Sequence, residues 1–148
     1  HPDSRLILVG EGPLCEETKK YAQKIGVSDY VLFLGSSKTP EKYYNAMDVF
    51  VLPSIFEGFP VVAVEAQTNG LYCFFSTEVT KEAKLLDTTM YIPLSDGKEN
   101  WADAIMNTNL KCNRENGYHV LSESRYSISK EAKRLIDKYE EFVKRGDR

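Results

Sequence analysis

Two glutamates separated by seven residues, Glu57 and Glu65, stand in the stretch of this sequence best equipped for chemistry, VFVLPSIFEGFPVVAVEAQTNG from Val49 to Gly70. The pattern predicts a buried strand ending at Pro53, a short loop carrying Glu57-Gly58, a helix with Pro60 at its first position, and Gly70 at its close. In open parallel α/β sheets ligands sit outside the carboxyl ends of the strands, and the first amides of the following helix form an anion site. Gly58 has no side chain, so a ligand can approach its backbone closely. Glu65 lies among Val61, Val62, Ala63, Val64 and Ala66, a helix that is apolar almost all round and predicted to be buried. A buried carboxylate needs partners. Helical side chains lean toward the N-terminus, so the Glu65 carboxylate, stacked above Val61, is expected to point back toward the anion site and Glu57. Carboxylates accept two hydrogen bonds at once from vicinal hydroxyls, and a helix N-terminus suits a pyrophosphate. Together these groups describe a nucleotide-sugar, with Glu65 taking one sugar's diol and Glu57 the other's. The chemistry alone leaves other readings open: Glu57 as a solvated loop residue, Glu65 paired with a Lys or Arg, or the two as a glycosidase pair. Placement at a helix N-terminus favours the phosphate-bearing donor over the plain glycoside.

The surrounding elements are read from short apolar runs alternating with helical patterns, the sequence form of βαβ units and a parallel sheet. Strands are expected at Arg5–Val9, Tyr30–Leu34, Val49–Leu52, Tyr72–Phe75 and Met90–Ile92, each nearly continuously apolar, as strands covered on both faces are. Gly12-Pro13 opens a helix with Leu14, Tyr21, Ala22 and Ile25 on one stripe and Gly26 as its stop. Thr39-Pro40-Glu41 opens a second, with Tyr43, Tyr44 and Met47 inward. Tyr43 and Tyr44 are read as packing residues rather than a stacking platform. Asp96 and Glu99 form a capping-box-like start for a helix anchored by Trp101. A last helix over about residues 129–143 carries the stripe Ile128, Ala132, Leu135, Ile136, Tyr139, Phe142 and Val143.

Composition narrows the classes. The chain has 148 residues, 42% apolar and 28% charged, which excludes a disordered segment. Its formal net charge of −3 argues against a nucleic-acid partner. The charge is uneven: residues 1–110 hold 9 basic and 15 acidic side chains, residues 111–148 hold 10 and 7. The basic tail admits peripheral contact with an anionic membrane, although mixed charge on an exposed helix face explains it more simply. Cys15, Cys73 and Cys112 are odd in number and far apart, and His1 and His119 have no metal-ligand spacing, so neither a disulfide framework nor a metal site is indicated. A reducing cytoplasmic setting is the default expectation, and no signal peptide or membrane-spanning run is visible. Gly10-Glu11-Gly12 begins like a dinucleotide fingerprint, but Cys15 takes the third glycine position and the motif reads as a turn.

The ordered blocks Leu8-Val9-Gly10-Glu11-Gly12-Pro13, Val31–Gly35, Ala46–Ser54, Glu57-Gly58-Phe59-Pro60 and Glu65–Gly70 resemble the nucleotide-binding half of the group 1, or family four, retaining glycosyltransferases of GT-B fold. The resemblance spans about residues 6–105. It implies an α/β, Rossmann-like three-layer sandwich with a mainly parallel sheet, the C-terminal half of a GT-B fold. It further implies that Glu65 holds the donor ribose, that Glu57 contacts the transferred sugar as the catalytic carboxylate, and that the backbone of Gly58, Phe59, Pro60, Val61 and Val62 binds sugar hydroxyls and diphosphate. Gly35 and Ser36 begin the loop expected at the base. The donor would be a UDP- or GDP-sugar, with no obligatory metal or other cofactor. Family members also carry an Arg and a Lys after the domain's first strand, and an N-terminal acceptor domain, and neither is in this sequence. The chain therefore reads as an excised donor domain, inactive alone, whose partner is its own N-terminal half. The alternative is a noncatalytic α/β binding module that docks through its last helix.

Overall fold

Five short strands form where the apolar runs predict them, and all their pairings are parallel. The computed structural model describes residues 3–110, 114–124 and 126–146; His1 and Cys112 lie outside them. The chain divides into two compact units, His1–Tyr43 and Tyr44–Arg148.

In the first unit, β1 (Leu6–Val9) pairs with β2 (Val31–Gly35), and α1 (Cys15–Lys24) connects them. Glu16 and Glu17 in the first turn of α1 and Lys24 in its last complement the helix dipole. The helix starts two residues later than Pro13 suggests. Of the expected inward stripe, Ala22 is buried while Leu14, Tyr21 and Ile25 are exposed. A two-stranded ribbon offers too little area to cover a ten-residue helix, so periodicity here marks an apolar face without supplying its cover. The short α2 (Glu41–Tyr44) carries the boundary.

The second unit is built on β3 (Val49–Leu52), β4 (Tyr72–Ser76) and β5 (Thr89–Ile92) in that order, with Val49 opposite Tyr72 and Cys73 opposite Thr89. Central β4 alternates between two cores. Cys73 and Phe75 pack with Ala63 and Ala66 of α3 (Val61–Thr68), while Phe74 packs with Trp101 of α4 (Gly97–Met106). Helices therefore cover both faces of this sheet, as continuously apolar strands require. Burial of Phe74 and Phe75, each fully enclosed, contributes roughly 1.5–3 kcal/mol apiece. Trp101 anchors α4 as expected, donating from Nε1 to the Pro93 carbonyl at 3.1 Å. Asp96 makes no side-chain cap bond, so the capping box does not form; the chain instead turns into α4 through Gly97 at φ +77°.

The polar-apolar helical stretch around His119 is α5 (Arg114–Ser122), for which the apolar pattern sets no bounds. The last helix, α6 (Ile128–Arg145), is longer than expected at both ends and stops at left-handed Gly146. None of its residues is buried, and its whole apolar stripe is open to solvent. Among the described residues no helix is long and apolar enough to cross a membrane.

Candidate functional site

The loop between β3 and α3 is pinned at two points. The buried Ser76 hydroxyl, at the end of β4, donates to the Ser54 carbonyl. Three residues on, the backbone of Glu57 pairs in parallel with the enclosed Val79. The Ser54 hydroxyl donates to Glu57 Oε1 at 3.1 Å, so the half-buried carboxylate is held through one oxygen. Ile55 and Phe56, between them, are each 83% exposed.

Past Glu57 the backbone opens. A Cβ on Gly58 would meet no atom within 4 Å, and its φ is not positive. Neither packing nor backbone strain demands glycine there. Phe59 stacks on Tyr126, ring centroids 5.2 Å apart and planes at 10°. Pro60 is buried and serves as the N-cap of α3 rather than its first residue, with extended ψ of 113°. Its carbonyl accepts from Ala63 N at 3.0 Å. The first helical amides, those of Val61 and Val62, have no intrahelical acceptor. Contrary to the expectation of a helix buried all round, Val61 is 65% and Val62 40% exposed, so that first turn meets solvent.

Glu65 is half-buried on α3, and its Oε2 accepts from the Tyr44 hydroxyl at 2.9 Å. The partner is thus a neutral phenol rather than the Lys or Arg that chemistry had left open. Burial pushes the Tyr44 ionisation far above the usual phenol range, and the Glu65 hydrogen bond and charge add to it, so Tyr44 stays a donor. The ring is 5% exposed and meets Phe50 edge-on at 6.1 Å. Tyr44 is therefore a core residue, as expected, with a polar task that sequence reasoning missed.

Gly35 and Ser36 belong to the first unit. Gly35 has φ +66°, and a Cβ there would lie 3.3 Å from Glu11 Oε1. The same oxygen accepts from Ser36 N at 3.2 Å, and Gly35 O accepts from Gly10 N at 2.8 Å. The Gly10-Glu11-Gly12 turn thus supports the loop after β2, in keeping with its reading as a turn.

Residues 1–108 match the family described as glycosyl transferases group 1. The chain belongs to that family. Glu57, Glu65 and their hydroxyl partners all fall within the matched span of this group 1 glycosyl transferase chain. EpsF of Bacillus subtilis (strain 168) is 39% identical over 102 residues, covering 68% of this chain and 27% of EpsF. An Escherichia coli protein named UDP-Gal:α-D-GlcNAc-diphosphoundecaprenol α-1,3-galactosyltransferase is 40% identical over 76 residues, 51% of this chain and 20% of its own. The crystal structure of Anabaena Alr3699/HepE in complex with UDP-glucose superposes with a TM-score of 0.75 at 20% identity, over 95% of this chain and 42% of that one. The fold is thus that of the Rossmann-like α/β domains of GT-B glycosyltransferases, with parallel sheets. This chain spans about a quarter of EpsF and a fifth of the Escherichia coli relative.

Proposed function

We propose that this chain binds a nucleoside diphosphate sugar and supplies the donor-binding half of a retaining family four glycosyltransferase. The observation that carries the reading is the unit from β3 to α3, in which two carboxylates are each held through one oxygen and the first turn of the helix that separates them meets solvent. In this reading Glu65 accepts from the ribose hydroxyls, the backbone from Gly58 to Val62 receives the diphosphate, and Glu57 contacts the transferred sugar. Amides aimed at the leaving diphosphate stabilise the charge that grows as the glycosidic bond breaks, and the fixed Glu57 orients the sugar above them. No metal is required for these roles. The UDP-glucose bound to HepE and the UDP-Gal in the Escherichia coli relative's name support a uridine donor, with GDP-sugars as the other candidate.

The acceptor half, and the Arg and Lys that complete phosphate neutralisation, belong in this proposal to other parts of a longer polypeptide working in the cytoplasm. The chain alone then binds donor without turning it over. The exposed stripe of α6 favours a docking role for that helix, and peripheral contact of its basic residues with an anionic membrane surface belongs to the same proposal.

Calorimetric titration with UDP-glucose and GDP-mannose tests the reading. One of the two is expected to bind, and Glu65→Ala to weaken it by roughly 10- to 100-fold, the worth of hydrogen bonds to a charged acceptor. Equal affinity in the variant, or no binding to the parent, would overturn the assignment. Gly58→Ala separates ligand approach from folding. Its Cβ meets nothing in the free protein, so stability should stay within about 0.5 kcal/mol while donor affinity falls. Unchanged affinity would remove Gly58 from the binding backbone.

A further inference from the structure

We infer that Tyr44 is a positioning residue for donor recognition: its buried hydroxyl fixes Glu65 through Oε2 and leaves Oε1 as the acceptor for the ribose. This rests on the reading of Glu65 as the ribose ligand.

Three contacts fix Tyr44 itself. Its ring meets Phe50 edge-on at 6.1 Å, and Phe50 in turn meets Phe75 of the central strand at 6.4 Å. Its hydroxyl donates to Glu65. Its carbonyl accepts from Arg114 Nη1 at 3.1 Å, and the same guanidinium holds the carbonyls of Asn45 at 3.1 Å, Met47 at 3.0 Å and Asn69 at 3.3 Å. Arg114 thus ties the chain around Tyr44 to the end of the helix that carries Glu65.

The choice of a phenol is chemically specific. A half-buried carboxylate without a partner would pay for lost hydration. A lysine or arginine partner would satisfy it but cancel its charge, and a guanidinium fork could occupy both oxygens. Tyrosine offers one donor and no charge, so it holds one carboxylate oxygen and leaves the other with acceptor capacity to spare. Losing the phenolic donor frees a carboxylate that ribose must then immobilise, at a cost of roughly 3- to 10-fold in affinity.

The test is titration of the chain with UDP and GDP and with their 2′,3′-dideoxy counterparts, comparing the parent, Glu65→Ala and Tyr44→Phe. The parent should prefer the ribose form of one base, and Glu65→Ala should lose the preference. Tyr44→Phe keeps the ring in the core and should lower the preference roughly 3- to 10-fold, leaving the dideoxy affinity unchanged. Preference is a ratio, so a smaller folded fraction reduces both affinities alike and cannot imitate this result. Full preference in Tyr44→Phe, or an equal loss for both ligands, overturns the inference while Glu65 keeps its role. Persistent preference in Glu65→Ala, or none in the parent, overturns the reading of Glu65 and the inference with it.

Discussion

Replacing Gly117 with alanine is expected to destabilise the second unit by about 3 kcal/mol or more, a larger effect than any single loss at the donor site. The cause is backbone, which cannot rotate away. A Cβ at Gly117 would lie 2.5 Å from the Gln67 carbonyl oxygen, 2.6 Å from Gly70 N and 2.8 Å from Gly70 Cα. Relief requires α5 to lift off the C-terminal end of α3. That movement carries Arg114, one turn earlier on α5, away from the four carbonyls it holds at Tyr44, Asn45, Met47 and Asn69. Packing and clamp would be lost together. Urea unfolding followed through Trp101, the single tryptophan and a buried residue of this unit, measures the effect directly. Gly58→Ala, in the same unit, is the control: no atom lies within 4 Å of that Cβ and φ is not positive, so its change should stay within about 0.5 kcal/mol. A Gly117→Ala midpoint equal to the parent's would show that the approach of α5 to α3 is looser than described.

Strands were the most legible part of the molecule because strand identity is written locally. Val49–Leu52 has the predicted bounds, and the other four differ by a residue at one or both ends. The loop and helix after β3 were also legible, since Pro60 and Gly70 punctuate them in sequence. What escaped was partnership across distance. Tyr44 and Glu65 are 21 positions apart, and Arg114 is 70 from Tyr44, spacings that no helical or strand period encodes. Ser54 was closer to recoverable, because a hydroxyl three residues before a loop carboxylate is within local hydrogen-bonding reach. The stripes of α1 and α6 show the converse failure. Their periodicity identifies an apolar face correctly, but period carries no information on what covers it, and Leu14, Tyr21, Ile128 and Val143 remain in solvent.

The two carboxylates of the candidate site share one device, a hydroxyl donor on one oxygen, yet their supports differ in kind. Ser54 is a loop residue whose carbonyl is held by buried Ser76, so Glu57 is positioned by the strand end. Tyr44 reaches Glu65 from the core. Errors at Glu57 should therefore come from changes near β4, and errors at Glu65 from changes in packing under α3.

Gln67 is where that packing is most exposed to a single change, and Gln67→Leu is expected to destabilise the second unit by about 3–5 kcal/mol. The side chain is fully buried on α3, two residues from Glu65. Its Nε2 donates to the carbonyls of Ala63 and Ala83, each at 2.8 Å. Its Oε1 accepts from Leu85 N at 2.8 Å, Leu86 N at 3.0 Å and the Thr89 hydroxyl at 2.8 Å. Both donors and the acceptor are thus used, and one amide replaces water for the whole segment entering β5. Leucine fills the volume but strands the Leu85 and Leu86 amides, each worth about 1–3 kcal/mol when a buried partner is removed. Against a total of some 5–15 kcal/mol, this is a large fraction, and thermal melting should shift downward by roughly 15 °C or more. Gln67→Glu isolates the reason. It keeps the acceptor and the shape but sets an oxygen against the Ala63 and Ala83 carbonyls. Burial and those carbonyls raise the folded pKa of the introduced carboxyl above its unfolded value of about 4.3. Protonation restores one donor, so the deficit of Gln67→Glu relative to the parent should be smallest below about pH 4 and grow as pH rises through the folded pKa. Gln67→Leu, having nothing to protonate, should show a deficit that does not change with pH. Parallel pH profiles for the two variants would mean that volume, not hydrogen bonding, is what Gln67 provides.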